Sequence, residues 1–345
     1  MTDFVGVDAL ARWVADTGAE TVIARMTDAL EEDYRRWPEF EKIPRIASHS
    51  EIGVIELMPA ADAELYGFKY VNGHPGNPAR GFQTVTAFGA LSTVHNGYPV
   101  LLSEMTLLTA LRTAATSALA ARHLARRDSS RAALIGTGCQ APFQALGLRA
   151  ELGITDLTVW DTDPQAMATF SHHAKELGFT VRTALSAADA VREADVATTC
   201  TADKSLATVL HAADLHDGQH INGIGGDCPG KTELESAVLD RADVFVEFTP
   251  QTRIEGEIQQ KAPDFPVTEL WEVITGRASG RRGAEAITLF DSVGFAIEDF
   301  SALRFLRREL ADTEYVQDID LVADPENPKD LFSLVAQKHP LPSTV

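Results

Sequence analysis

The chain has 345 residues, 45% apolar and 23% charged, with a formal net charge of −20. That length suffices for two domains and the composition is that of a soluble globular protein. The acidity repels phosphate backbones and anionic lipid, which argues against nucleic-acid or membrane partners. The longest apolar runs fall far short of a membrane span, and MTDFVGVDAL has no basic head before an apolar core. Three cysteines without a CxxC pair, and histidines (His95, His172 and His173 among them) without a ligand pattern, argue against a disulfide framework or a metal site. A cytoplasmic enzyme is expected.

In chain order, residues 8–36 carry helical periodicity. From about 43 to 104 short β-prone runs follow one another, and Asn96 with Gly97 signals a two-residue hairpin turn. TLLTALRTAATSALAARHLARR (106–127) is a long helix that Thr106 could cap. Strand and helix then alternate. AALIG leads into a helix at about 140–152, DLTVWD into one at about 164–177, and TVRTA, DVATTC, QHINGI, DVFVEF and AITLFD continue the strands. Repeated β-α units at this spacing imply a parallel sheet covered on both faces. After about 293 comes a helix, GFAIEDFSALRFLRREL, and then a polar tail with IDLV and KDLFSLV. The expected class is α/β, with a Rossmann-like doubly wound parallel sheet (113–312) inserted into an α+β substrate-binding and dimerisation domain (1–112 plus 313–345).

Two segments read as nucleotide motifs. AALIGTGCQA gives a strand, then Gly136-x-Gly138-x-x-Ala141, then a helix. The first Gly allows the tight turn, the second admits the pyrophosphate, and the small third residue lets helix and strand pack. Asp161 closes the next strand, where an acid hydrogen-bonds ribose hydroxyls and repels a 2′-phosphate, so NAD is favoured over NADP. The second segment, GGDCPGKT at 225–232, fits the P-loop pattern G-x-x-x-x-G-K-[ST]. Asp227 would aim negative charge at a phosphate, and Pro229 removes an amide donor from the cradle. At the carboxyl end of a strand in a doubly wound sheet, Asp227 can instead face substrate while Lys231 reaches toward cofactor.

SHSEIGVIELMP, GFKYVNGHPGN, GYPVLLSEMTLLTALRTAATS, ALIGTGCQAPFQAL, INGIGGDCPGKTEL, PQTRIEGEIQQ and FDSVGFAIEDF together resemble the ornithine cyclodeaminase / mu-crystallin family, from about residue 38 to about 334. A Rossmann match alone names no reaction; the DCPGKTEL and PQTRIEGEIQQ segments carry the likeness. It implies conversion of L-ornithine to L-proline and ammonia: oxidation at Cα by bound NAD, ring closure by the δ-amine with loss of ammonia, and reduction of the cyclic imine by the same cofactor. By the same resemblance, Arg45, Lys69 and Arg112 hold the substrate α-carboxylate, Asp227 is the proton donor and acceptor at the δ-amine, Glu56 is a second acid, and Val293 lines the pocket. Charge logic agrees, since an acidic protein needs a local cationic cluster to hold a small carboxylate. The matching cofactor positions are Thr84, Arg112, Gly136, Gly138, Cys139, Gln140, Asp161, Thr201, Ile224, Gly225, Gly226, Asp227, Lys231 and Ser292. A homodimer is implied as well. Lysine or arginine cyclodeaminase, a family amino-acid dehydrogenase, and an NADPH-dependent ketimine reductase or hormone-binding protein of mu-crystallin type remain alternatives; Asp161 speaks against the NADPH reading and Asp227 against a simple dehydrogenase.

Overall fold

The computed structural model describes residues 2–202 and 206–336, so the end of the tail, 337–345, lies outside the described residues. The first strands are β1 (Thr2–Val5), β2 (Glu41–Lys42), β3 (Ile46–Ser50), β4 (Gly53–Ala61), β5 (Leu65–Gly73), β6 (Val85–Thr93) and β7 (Pro99–Glu104). They are followed by β8 (Arg131–Ile135), β9 (Asp156–Trp160), β10 (Thr180–Thr183), β11 (Val196–Thr199), β12 (Leu206–Leu210), β13 (His220–Gly223), β14 (Thr232–Leu234), β15 (Ala242–Val246), β16 (Thr268–Glu269), β17 (Ile287–Asp291) and β18 (Gln317–Ile319).

One sheet runs β18-β1-β7-β6-β5-β4-β2, with β3 also on β4; its pairs are antiparallel except for parallel β1 and β7. The late strand β18 pairs with β1, so both ends of the chain contribute to this sheet. The other sheet is wholly parallel, in the order β10-β9-β8-β11-β13-β17-β15-β16. Its central strands are buried on both faces, as helices on both sides require: β11 and β17 are buried throughout.

The mixed sheet shows the other pattern. Along β4, Ile55 and Leu57 face outward while Val54, Glu56 and Met58 face inward. The period of two therefore sends Glu56 under the sheet, and in β5 it buries Lys69 beside Gly67. Helix Ala296–Leu310 packs on this inner face. A continuous buried core joins the two sheets, from Val5 and Leu30 through Phe300 to Leu134, Val159 and Phe290.

Three local expectations change. The helix of residues 106–124 is capped by Glu104, whose carboxylate accepts the N–H groups of Thr106 and Leu107, because the Thr106 hydroxyl is occupied by the N–H of Ala87 at 3.0 Å. The hairpin at Asn96 and Gly97 has a longer loop, 94–98. There Asn96 Oδ1 accepts the Tyr98 N–H at 3.0 Å and Gly97 takes a φ of 75°. Strand β1 has no counterpart in the sequence reading, being too short for a pattern to show.

Candidate active site

The parallel sheet reverses its winding between β8 and β11, and a crevice for ligands opens at such a point beyond the strands' carboxyl ends. The Gly136 turn lies there. Gly136 has a φ of +96°, and a Cβ on it would come within 2.8 Å of the Cys200 carbonyl oxygen. A Cβ at Gly138 would meet nothing within 4 Å, so open space lies over the turn at the start of helix Ala141–Leu152. Gln140, just before that helix, holds a buried Oε1 with no hydrogen-bond partner, and Cys139 is exposed beside it. Asp161 is placed under the turn: Oδ2 accepts from the Thr137 N–H at 2.7 Å and hydroxyl at 3.1 Å, and Oδ1 from the Asp163 N–H at 2.9 Å. A carboxylate has about four acceptor sites, and the fourth is met only by the Thr162 hydroxyl at a long 3.5 Å, a contact that a ribose hydroxyl could replace. The cradle, the open space and the orphaned Gln140 oxygen fit a dinucleotide.

The 224–231 loop leaves β13 and runs directly into the short strand β14, where a P-loop would open a helix. A P-loop needs that helix, so the G-K-T pattern here is coincidental. Glu233 organises the loop instead. Its buried carboxylate accepts the Thr201 N–H at 2.7 Å, the Thr201 hydroxyl at 2.6 Å and the Gly225 N–H at 2.9 Å. A Cβ on Gly225 would sit 2.2 Å from that carboxylate, and one on Gly226 would sit 2.7 Å from Glu257 Oε1, which explains the paired glycines. Ile224 is fixed by its N–H to the Thr199 carbonyl at 3.0 Å. Lys231 donates to the Thr201 carbonyl and to Asp227 Oδ1, both at 3.2 Å. Burial opposes its charge, but Asp227 and Glu233 prevail and raise its pKa. The Asp227 side chain is 54% exposed against 6% for Lys231, so Asp227 is the member of the pair open to solvent.

From the PQTRIEGEIQQ segment, Gln259 accepts the Gly230 N–H at 2.7 Å and donates to the Lys231 carbonyl at 3.0 Å. Glu257 accepts the N–H groups of Glu233 and Leu234, and Asp291 accepts those of Glu257 and Ile258. Buried acids thus brace the loop in series from below.

Opposite lies the cationic cluster. Lys69 donates to Asp299 Oδ1 at 2.7 Å; Arg112 meets the same oxygen at 2.9 Å through Nε and Glu298 at 2.9 Å through Nη1. Burial first, then Arg112, with Arg45 adding, lowers the Lys69 pKa to about 8 against the pull of Asp299. Both side chains keep N–H groups that these bonds do not use. Arg45 differs. It pairs with Glu56 at 3.2 Å and Glu255 at 3.2 Å, and donates to the carbonyls of Val293 at 3.0 Å and Gly294 at 2.7 Å. Its guanidinium is spent on the protein, so a substrate carboxylate would have to displace one of these partners. Ser292 donates to Glu247 at 2.6 Å, and the N–H groups of Val293 and Gly294 point to the same carboxylate. Val293 is buried behind them. Thr84 is not drawn into this assembly: its carbonyl accepts from the His74 N–H and the Asn72 side chain.

Glu233, Glu247, Glu255, Glu298 and Asp299 escaped the sequence reading. The available signal was an acid amid apolar residues, as in FAIEDFSAL, where a helix face packed on a sheet cannot leave it in water.

Burial favours the neutral form of several acids around the site. Burial raises Glu255 and Asp291 to about 7, Glu298 to about 8 with Glu247 adding to it, and Glu257 to about 9 with Asp291 adding to it. Between the ordinary carboxyl range and these values the folded chain binds more protons than the unfolded one. Stability is therefore fullest below the unfolded pKa and is lost as pH rises through the folded values. Lys69 acts oppositely, but only above about pH 8, and buried His220, lowered to about 3, opposes the trend below about pH 6.5 without matching the four acids. The thermal midpoint should fall between about pH 5 and about pH 8, and Glu298→Gln should flatten the slope. A flat midpoint in the parent protein would show that these acids ionise while folded.

Residues 8–314 match the Ornithine cyclodeaminase/mu-crystallin family. The ornithine cyclodeaminase of Agrobacterium fabrum (strain C58) is 56% identical over 335 residues, covering 97% of this chain and 95% of that protein. Among solved structures, a lysine cyclodeaminase studied for its recognition of L-lysine, L-ornithine and L-2,4-diaminobutyric acid is 32% identical with a TM-score of 0.87, covering 95% of this chain and 98% of that one. An archaeal alanine dehydrogenase dimer with bound NAD is 30% identical with a TM-score of 0.84, covering 93% and 99%. With this match spanning most of its length, the chain belongs to the ornithine cyclodeaminase/mu-crystallin family.

Proposed function

We propose that the protein is an NAD-dependent ornithine cyclodeaminase, a lyase that forms L-proline and ammonia from L-ornithine. The observation that carries this reading is Asp227: a half-exposed carboxylate on a rigidly braced loop, paired with buried Lys231, between the dinucleotide turn and the cationic cluster. An acid there suits a substrate with a second amine and has no task in the oxidation of alanine.

Bound NAD supplies the oxidation at Cα and the later return of the same two electrons. The chain does the rest. Lys69 and Arg112 offer their unspent N–H groups to the α-carboxylate, a bidentate grip in the case of Arg112. Asp227 takes a proton from the δ-ammonium so that the amine can attack, and Glu56, inward on β4 and paired with Arg45, is placed to serve the departing ammonia. Buried Val293 helps to exclude water from the reacting centre. Asp161 beneath the turn favours NAD over its 2′-phosphate.

A cytoplasmic homodimer engaged in proline formation belongs to the same proposal. Ile46, Ile55, Leu57, Tyr66 and Phe88 leave an apolar outer face on the mixed sheet, the kind of surface that a second copy covers. No helix among the described residues is long and apolar enough to cross a membrane.

The test is ammonia release from L-ornithine, L-lysine and L-alanine under one set of conditions. L-Ornithine should exceed L-lysine in kcat/KM by about 10- to 200-fold, the worth of one methylene in a fitted pocket. Faster turnover of either other amino acid would assign the protein to that substrate.

A further inference from the structure

We infer that Glu255 is a specificity-determining residue which, with Glu56 and Asp227, forms the receptor for the ammonium group at the far end of the substrate. The inference rests on the proposed reaction and names a residue that the family resemblance did not single out.

Glu255 ends the helix Thr249–Glu255, and its position is fixed on both sides. Its carbonyl accepts from Gln259 at 3.1 Å, and the next residue, Gly256, is packed so closely that a Cβ would lie 2.4 Å from Thr252 Cγ2 and 2.7 Å from the Asp291 carboxylate. The side chain is 10% exposed and points at Arg45, which lies between it and Glu56. Asp227, on the neighbouring loop, is close enough to act on the charge of both Arg45 and Glu255.

Two features call for a cation. The first is charge balance: Arg45 and Lys231 face Glu56, Glu255 and Asp227, two positive groups against three carboxylates. The second is hydrogen bonding. Glu255 Oε2 and Arg45 Nε are 3.2 Å apart but misaligned, and each is buried with no hydrogen-bond partner. A buried oxygen without a donor is costly and rare in native structures. An ammonium supplies both missing elements, one positive charge and three N–H donors. A proton alone answers only the first, and burial accordingly pushes Glu255 up to about 7, with Glu56 and Asp227 adding to it and Arg45 opposing.

Glu255→Gln keeps the shape and removes the charge. The readouts are the KM for L-ornithine and the inhibition constant of L-norvaline, which has the same α-amino acid head and no distal amine. NADH binding is followed by fluorescence as a control. The KM for L-ornithine should rise about tenfold or more, roughly the loss of one charge-assisted contact, while L-norvaline and NADH binding stay within about twofold. Equal weakening of both amino acids would overturn the inference, because Glu255 would then act only by holding Arg45; unchanged L-ornithine binding would overturn it too. If the Gln variant fails to accumulate, Glu255→Asp, which retains the charge but retracts it, should lower the L-ornithine preference over L-norvaline, and an unaltered preference would count against the inference. Failure of the reaction itself shows earlier and separately: the unmodified protein would bind L-norvaline as tightly as L-ornithine.

Discussion

Replacing Asp227 with Asn should lower turnover of L-ornithine by about two to four orders of magnitude, the usual contribution of a positioned general acid and base, and leave NADH binding intact. The loop that carries Asp227 does not depend on it. Glu233 fixes Thr201 and Gly225, Gln259 fixes Gly230 and Lys231, and Lys231 keeps the Thr201 carbonyl and the charge of Glu233. The substitution therefore removes proton transfer at the distal amine while the cofactor cradle stays in place. Turnover within about threefold of the parent would take Asp227 out of the chemistry.

Arg112→Ala should act on the fold as much as on the reaction. The guanidinium is buried and bonded to two buried acids, Glu298 and Asp299, and Gly294 lies so close to it that a Cβ there would come within 2.9 Å of Nη1. Removing one member of a buried ion cluster strands the others, at a cost of about 3–5 kcal/mol. Protonation of Glu298, already favoured by burial, draws the expected loss toward the lower end. Urea unfolding at pH 7 measures it, and a loss below about 1 kcal/mol would show that the cluster relaxes around the gap. Arg112→Lys should recover part of the stability and less of the activity, since it restores a charge without the planar fork.

These predictions rest on groups of unequal visibility in the sequence. The nucleotide-binding half was legible because its physics is local. Short β-prone runs alternate there with helical stretches, and the Gly136 turn demands glycine within a few residues of the strand that it ends. Asp227 and Lys231 stood out because a carboxylate contradicted the P-loop pattern around them. The acids that balance the cationic cluster were hidden for the opposite reason. Glu298 and Asp299 gain their meaning only when Lys69 and Arg112, remote in the sequence, arrive beside them. Glu255 likewise gains its meaning from Arg45. Pairing of β18 with β1 is equally non-local. Arg45 carries a further lesson: the carbonyls and carboxylates that surround it come from segments remote in the sequence, so no single segment reveals them.

The central claim is that one cofactor both oxidises the substrate and reduces the product without net change. Incubating the protein with L-ornithine and sub-stoichiometric NAD⁺, then measuring ammonia, proline and NADH absorbance together, tests it directly. The expected result is ammonia and proline in equal amounts, many times the NAD⁺ supplied, with no accumulation of NADH. NADH rising in step with ammonia, and no proline, would contradict the claim and make the protein a dehydrogenase.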